Sequence, residues 1–234
     1  MNAAGSLGFA PDLHGAVDLR RLGTFITSPI SLRARTPAHG TRFIPYSGGY
    51  LIHTGHPNPG IKPVLRRHAA QWSRSPLPVW VHLLALDVTE LAHMVRMLEG
   101  AEGVAGVEIG LAPDVSPRAA AAFLAASQGE LPVVARLPLE RAIELAESVI
   151  AAGAAAVSLG APRGAMPITG GEVIQGRLYG PAVFPLALAV VRALSGRGLT
   201  VIGAGGIYKQ ADIDAMLSAG AIAVQLDASL WRGF

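Results

Sequence analysis

Val201-Ile202-Gly203-Ala204-Gly205-Gly206-Ile207 is the stretch on which the fold turns. A short apolar run enters a glycine-rich turn and then a helical pattern, the strand–turn–helix step of a parallel α/β sheet. Glycines at such a turn let backbone N–H groups approach a phosphate without a Cβ in the way, although a plain tight turn needs the same residues. The surrounding sequence repeats the rhythm. Apolar runs occur at Leu22–Ile30, Val79–Ala85, Val104–Leu111, Pro132–Leu137, Ala154–Gly160, Leu199–Gly203 and Ala221–Leu226, with a short one at Met1–Ala4. They are nearly continuous rather than alternating, as expected of strands covered on both faces. Helical patterns lie between them. Asp87–Leu98 opens with Asp87 and Glu90 in capping-box spacing, Leu139–Ala152 follows the same plan, and Asp212–Ala219 stops at Gly220.

Eight runs alternating with helices predict a single (β/α)8 TIM barrel over residues 1–234. A doubly wound open sheet is the rival, disfavoured because no Gly-x-Gly-x-x-Gly turn follows the first run. Composition agrees with one large core. The chain has 234 residues, is 51% hydrophobic and only 15% charged, against roughly 25% charged in ordinary domains. The apolar stretches Ala119–Ala126 and Pro181–Val191 fall short of the ~20 residues of a membrane span, and no leader pattern opens the chain. The expectation is a cytoplasmic protein with no membrane association. Net charge is +3, from 17 arginines, two lysines (Lys62 and Lys209) and 16 acids. The arginines are scattered and aromatics make up 6%, so no nucleic-acid stripe is expected. With no cysteine, disulfides and thiolate chemistry are excluded.

Two segments break the rhythm, 31–62 and 161–179, and both read as long loops on the face where barrels keep their sites. The first carries His39, His53 and His56, which match no standard metal-ligand set, and no metal site is expected. His82 and Glu108 on the third and fourth runs make either an acid–base pair or a satisfied buried pair. Arg136, at the end of the fifth, is the best anion-binding candidate, unless it only pairs with Glu108 or Asp227.

Several stretches resemble the dihydroorotate dehydrogenase family of FMN-dependent barrels. They are Asn2–Phe9, Gly55-His-Pro-Asn-Pro-Gly60, Glu108–Val115, the Gly180-Pro-Ala turn, Val201–Ile207 and Ala219–Gln225. The resemblance implies that FMN contacts Ala3, Ala4, Gly5, Ser28, Arg136, Gly180, Gly205, Gly206, Asp227 and Ala228. It also implies departures. The family's catalytic base falls at Ala112, which takes no proton. Its substrate asparagines fall at Ile52, Gly110 and Asp114, its strand-two lysine at Ser28 and its strand-five lysine at Arg136. Its Asn-Thr pair falls at Ala161-Pro162, a turn serine at Tyr179, and its phosphate-binding Gly-Thr at Asp227-Ala228. An acid at Asp227 repels a phosphate. The chain ends at Phe234, where the family continues into a closing helix, so a barrel truncated at the C-terminal helix is expected. A homo-oligomer or partner protein would then cover the open face. The sequence leaves three readings: a flavin-dependent oxidoreductase acting on something other than dihydroorotate, a flavin-free structural or regulatory barrel, and a flavin-free enzyme using Arg136, His56 or Asp114 on another anion.

Overall fold

A computed structural model describes residues 1–232. Strands β1 (Phe25–Ile26), β2 (Ile30–Ser31), β3 (Phe43–Tyr46) and β4 (Gly49–Ile52) precede helix α1 (Ile61–Trp72). Then follow β5 (Val79–Leu84), α2 (Val88–Glu99), β6 (Val104–Gly110), α3 (Pro117–Ala126), β7 (Val133–Pro138), α4 (Ala142–Ala151) and β8 (Ala156–Gly160). The chain continues through β9 (Arg163–Pro167), β10 (Val173–Tyr179), α5 (Phe184–Ser195), β11 (Val201–Ala204), α6 (Gln210–Ser218) and β12 (Ala223–Gln225). A curled parallel sheet runs β1-β5-β6-β7-β8-β11-β12, with helices around it. The fold is therefore of the (β/α)8 TIM-barrel type. After β12 the described residues make only a 3-10 turn, Ala228–Arg232.

Local chemistry explains the elements. The Asp87 carboxylate accepts from the Thr89 and Glu90 amides and caps α2, worth about 1 kcal/mol. Leu91, Met94, Val95 and Leu98 then bury one face of that helix against the sheet, each contributing about 1.5–3 kcal/mol.

Two expectations need correction. The run Leu22–Ile30 is not one strand: β1 and β2 both pair with β5, on either side of Thr27–Pro29, where Pro29 has no N–H to donate. Met1–Ala4 forms only the bridge Asn2↔Leu226. There a side chain completes the ring. Asn2 Nδ2 donates to the Ile26 carbonyl at 2.7 Å and Oδ1 accepts from the Ile26 amide at 2.8 Å. On the other side, Ala3 N donates to Leu226 O and Leu226 N to Met1 O.

The segments 31–62 and 161–179 are more ordered than long loops. They supply an antiparallel sheet, β3-β4-β10-β9, with its own apolar cluster of Ile44, Leu51 and Ile174. Alternation at the start of β10, buried at Ile174 and Gly176 and exposed at Val173 and Gln175, is the period-two signature of a sheet wet on one face.

Candidate functional site

Inside the barrel the strands alternate by twos, and each step up changes the chemistry. Val134, Ala156 and Ile202, with Trp80 and Ala223 packed against them, make an apolar layer. Two residues further along the same strands come Arg136, Ser158, His82 and Gln225, joined by Glu108 of β6. Glu108 is fully buried and is the hub. Its Oε2 lies 2.6 Å from His82 Nδ1 and 3.5 Å from Arg136 Nη1. Its Oε1 accepts from Ser158 Oγ at 2.7 Å and from Gln225 Nε2 at 2.5 Å. Burial alone would raise this carboxyl, but the Arg136 charge and the His82 and Ser158 hydrogen bonds outweigh it and hold it at about 2. Burial pushes the His82 imidazole down, with the Glu108 hydrogen bond only partly opposing. The pair is thus a neutral imidazole donating its Nδ1 proton to a carboxylate.

Above this layer the mouth divides into two clefts that share Arg136, Ala161 and Tyr179 as walls. The first lies over Gly205 and Gly206 and is lined by Ala3, Tyr50, Gly180, Tyr208, Asp227 and Ala228. Burial raises the Asp227 carboxyl, with Arg136 partly opposing. Tyr50 and Tyr179 stack beside it, centroids 5.6 Å apart. The second cleft is lined by Ala4, His56, His82, Gly110, Pro113, Arg163 and Arg177. Arg177 arrives on β10, and burial, with Arg136, Arg163 and Arg35 nearby, makes its charge hard to hold. No carboxylate among the described residues lies within ion-pair distance of it. His56 has φ 53°, an uncommon backbone for a non-glycine residue. Its Nε2 is buried without a hydrogen-bond partner among the described residues. Burial, with the Arg177 and Arg136 charges, lowers this imidazole to about 3.

Of the positions implied by the resemblance, Ala3, Arg136, Gly180, Gly205, Gly206, Asp227 and Ala228 gather on the first cleft and Ala4 on the second. Gly5 and Ser28 line neither, and Ala112 is exposed beside Leu111 and Pro113 of the second. His39 and His53 do not join His56, and no trio of His, Cys, Asp or Glu disposed to hold a metal ion occurs among the described residues. Arg177, Tyr50 and Tyr208 went unnoticed in the sequence. The β10 alternation gave no signal for Arg177, because it sets this arginine in phase with the exposed Val173 and Gln175.

A flavin mononucleotide would bring its phosphate to Gly205, Gly206 and Ala228. The Asp227 carboxyl stands there with no basic group within ion-pair distance among the described residues. The residues present do not fit that phosphate.

No family model matches the chain. Individual relatives do. The catalytic subunit of dihydroorotate dehydrogenase B (NAD(+)) from Desulforudis audaxviator (strain MP104C) is 30% identical over 249 residues, covering 96% of this chain and 80% of that protein. Its namesakes from Geotalea daltonii and Maridesulfovibrio salexigens are each 29% identical, covering 97% of this chain and 81% of theirs. With the barrel, the glycine turn after β11 and the ordered matches along nearly the whole length, this similarity places the chain in the dihydroorotate dehydrogenase family.

Proposed function

We propose that this family member does not oxidise dihydroorotate, holds no flavin, and receives a small organic anion in the cleft between Arg136 and Arg177. The observation that carries the reading is Arg177: a half-buried guanidinium lining the cleft without a carboxylate partner among the described residues. Burial makes such a charge costly to leave unpaired, and an anionic ligand would offset that cost. A planar guanidinium takes a carboxylate through two parallel N–H bonds. Arg136 offers a second charge while Glu108 and Gln225 fix its direction, and the unpartnered His56 Nε2 offers a further polar contact. Ala112, at the family's base position, supplies no proton acceptor.

A second reading, a flavin-dependent oxidoreductase acting on another substrate, is favoured by one observation: Gly180, Gly205, Gly206 and Ala228 gather on a single cleft. One purified sample separates the two. The expected protein is colourless, retains no added FMN, leaves dihydroorotate unoxidised, and binds pyruvate or malonate by calorimetry with at least tenfold loss in Arg177→Gln. A yellow protein, or retained FMN, overturns the flavin-free reading. Assembly is part of the proposal. Leu186, Ile222 and Trp231 are exposed apolar side chains, and the mass of the same sample by light scattering is expected to exceed that of one chain. No helix among the described residues is long and apolar enough to cross a membrane.

A further inference from the structure

His82 has one nitrogen committed and one to spare. Nδ1 is 2.6 Å from Glu108 Oε2, and Glu108 is in turn held by Ser158 and Gln225. A carboxylate fixed in this way sets the tautomer and leaves Nε2 as a bare acceptor. The imidazole borders the second cleft, with Nε2 on the Gly110 side. A Cβ at residue 110 would come within 2.7 Å of that nitrogen. The ring therefore occupies space that a side chain at 110 would take, and asparagine is what the family resemblance implies for that position. One substrate-facing group is missing and another stands in its place, opposite Arg136, Arg177 and His56.

We infer that His82 is the proton acceptor of a redox-neutral reaction on an anionic carbon acid, a small carboxylate with a C–H next to a carbonyl or second carboxyl group, held by Arg136 and Arg177. This rests on the anion reading above and deepens it. His82 Nε2 takes the proton, and the C–H electron pair moves into a C–C double bond. The carbonyl π pair becomes an oxyanion facing the guanidinium groups. Return of the proton to the same or a neighbouring carbon restores a neutral imidazole, so atoms and charge balance with no oxidant. Glu108 is a positioning residue. Burial and, less, the arginine charges disfavour the imidazolium; a bound anion would offset those charges and make the nitrogen a better base.

The test follows loss of the pyruvate methyl or malonate methylene proton signal in D2O on the full chain, with affinity measured calorimetrically on the same samples. The expected exchange is at least tenfold faster than in buffer and rises with pH through one imidazole titration. The groups facing that imidazole are Glu108, Arg136, Arg177 and His56, with Thr27 Oγ1 on its backbone amide. His82→Gln is expected to abolish the acceleration while keeping affinity within threefold. Glu108→Gln is expected to slow exchange at least tenfold and move the pH midpoint downward, which a purely structural role would not do. If His82→Gln does not fold, His82→Asn and the pH profile of the unaltered chain decide, and a flat profile overturns the assignment. Binding with exchange at the buffer rate overturns the proton transfer and leaves the anion reading standing. Binding of neither probe overturns both.

Discussion

The cleft over Gly205 and Gly206 and the cleft beside Gly110 share Arg136, Ala161 and Tyr179 as walls. On the first side the glycine turn persists, yet the charge that stands in it is the Asp227 carboxyl, raised by burial and flanked by tyrosines. On the second side Gly110 stands where the family resemblance implies an asparagine, and Arg177, His56 and His82 line the cleft. The contrast teaches that a motif and the chemistry beside it are separate matters. A glycine turn can be required by packing alone, so its presence does not by itself report a ligand.

The largest effect should come from the turn itself. Gly206 has φ +68°, and a Cβ there would sit 2.3 Å from the Phe184 amide nitrogen. That is backbone against backbone, which no rotamer change relieves. Gly206→Ala is expected to destabilise by about 3 kcal/mol in urea unfolding while leaving malonate affinity in the second cleft within twofold. A variant of normal stability would break the contrast, because the glycine would then be kept for something other than packing.

His56 sharpens the other side. Its imidazole titrates near 3 when folded against a usual 6.5. The unfolded chain therefore binds the extra proton between those values. Stability tied to this residue is complete above about pH 6.5 and falls by about 1.4 kcal/mol per pH unit below it, or about 2 kcal/mol by pH 5. His56→Asn, an amide that tolerates the same backbone, is expected to flatten that slope, measured as unfolding free energy against pH. An unchanged slope would mean that neither burial nor the arginine charges hold this ring neutral.

The smallest effect is expected at Asp227. Its carboxyl is raised on folding, so this residue opposes folding above its folded pKa and is neutral in effect below about pH 3. Asp227→Asn should raise the melting temperature at pH 7 by about 3 °C, roughly 1 kcal/mol in a chain of this size, and change nothing at pH 3. A fall in melting temperature at pH 7 would mean that a cation or donor holds this acid, and the first cleft would then be a working site.

The barrel was legible because its signals are local. Continuous apolar strands, the Asp87 cap and the turn after Val201 each follow from a few neighbouring residues. The pairing of His82 with Glu108 was among the alternatives open in the sequence, since both lie on adjacent strand runs with interior-facing parity. The antiparallel sheet β3-β4-β10-β9 was illegible for the opposite reason. Arg177 reaches the mouth only because β10 pairs with β4, which lies more than a hundred residues earlier, and nothing near Arg177 announces that partner. Asn2 was hidden similarly. A side chain that replaces a ladder step leaves no periodicity to detect, and Met1–Ala4 looked like a strand while acting as a single stitch.

That stitch has a consequence for how the molecule is made. Asn2 joins Ile26 to a segment paired with Leu226, so residue 2 waits for a partner more than two hundred residues further along. At about 5–20 residues per second of synthesis, the amino-terminal segment spends on the order of 10–50 seconds without its β12 partner. During that interval the edges of the growing sheet at β1 and at the newest strand are open to other chains. Closing the seam is the step with the greatest loop-closure entropy, which makes Asn2 a timing element of assembly as well as a structural one.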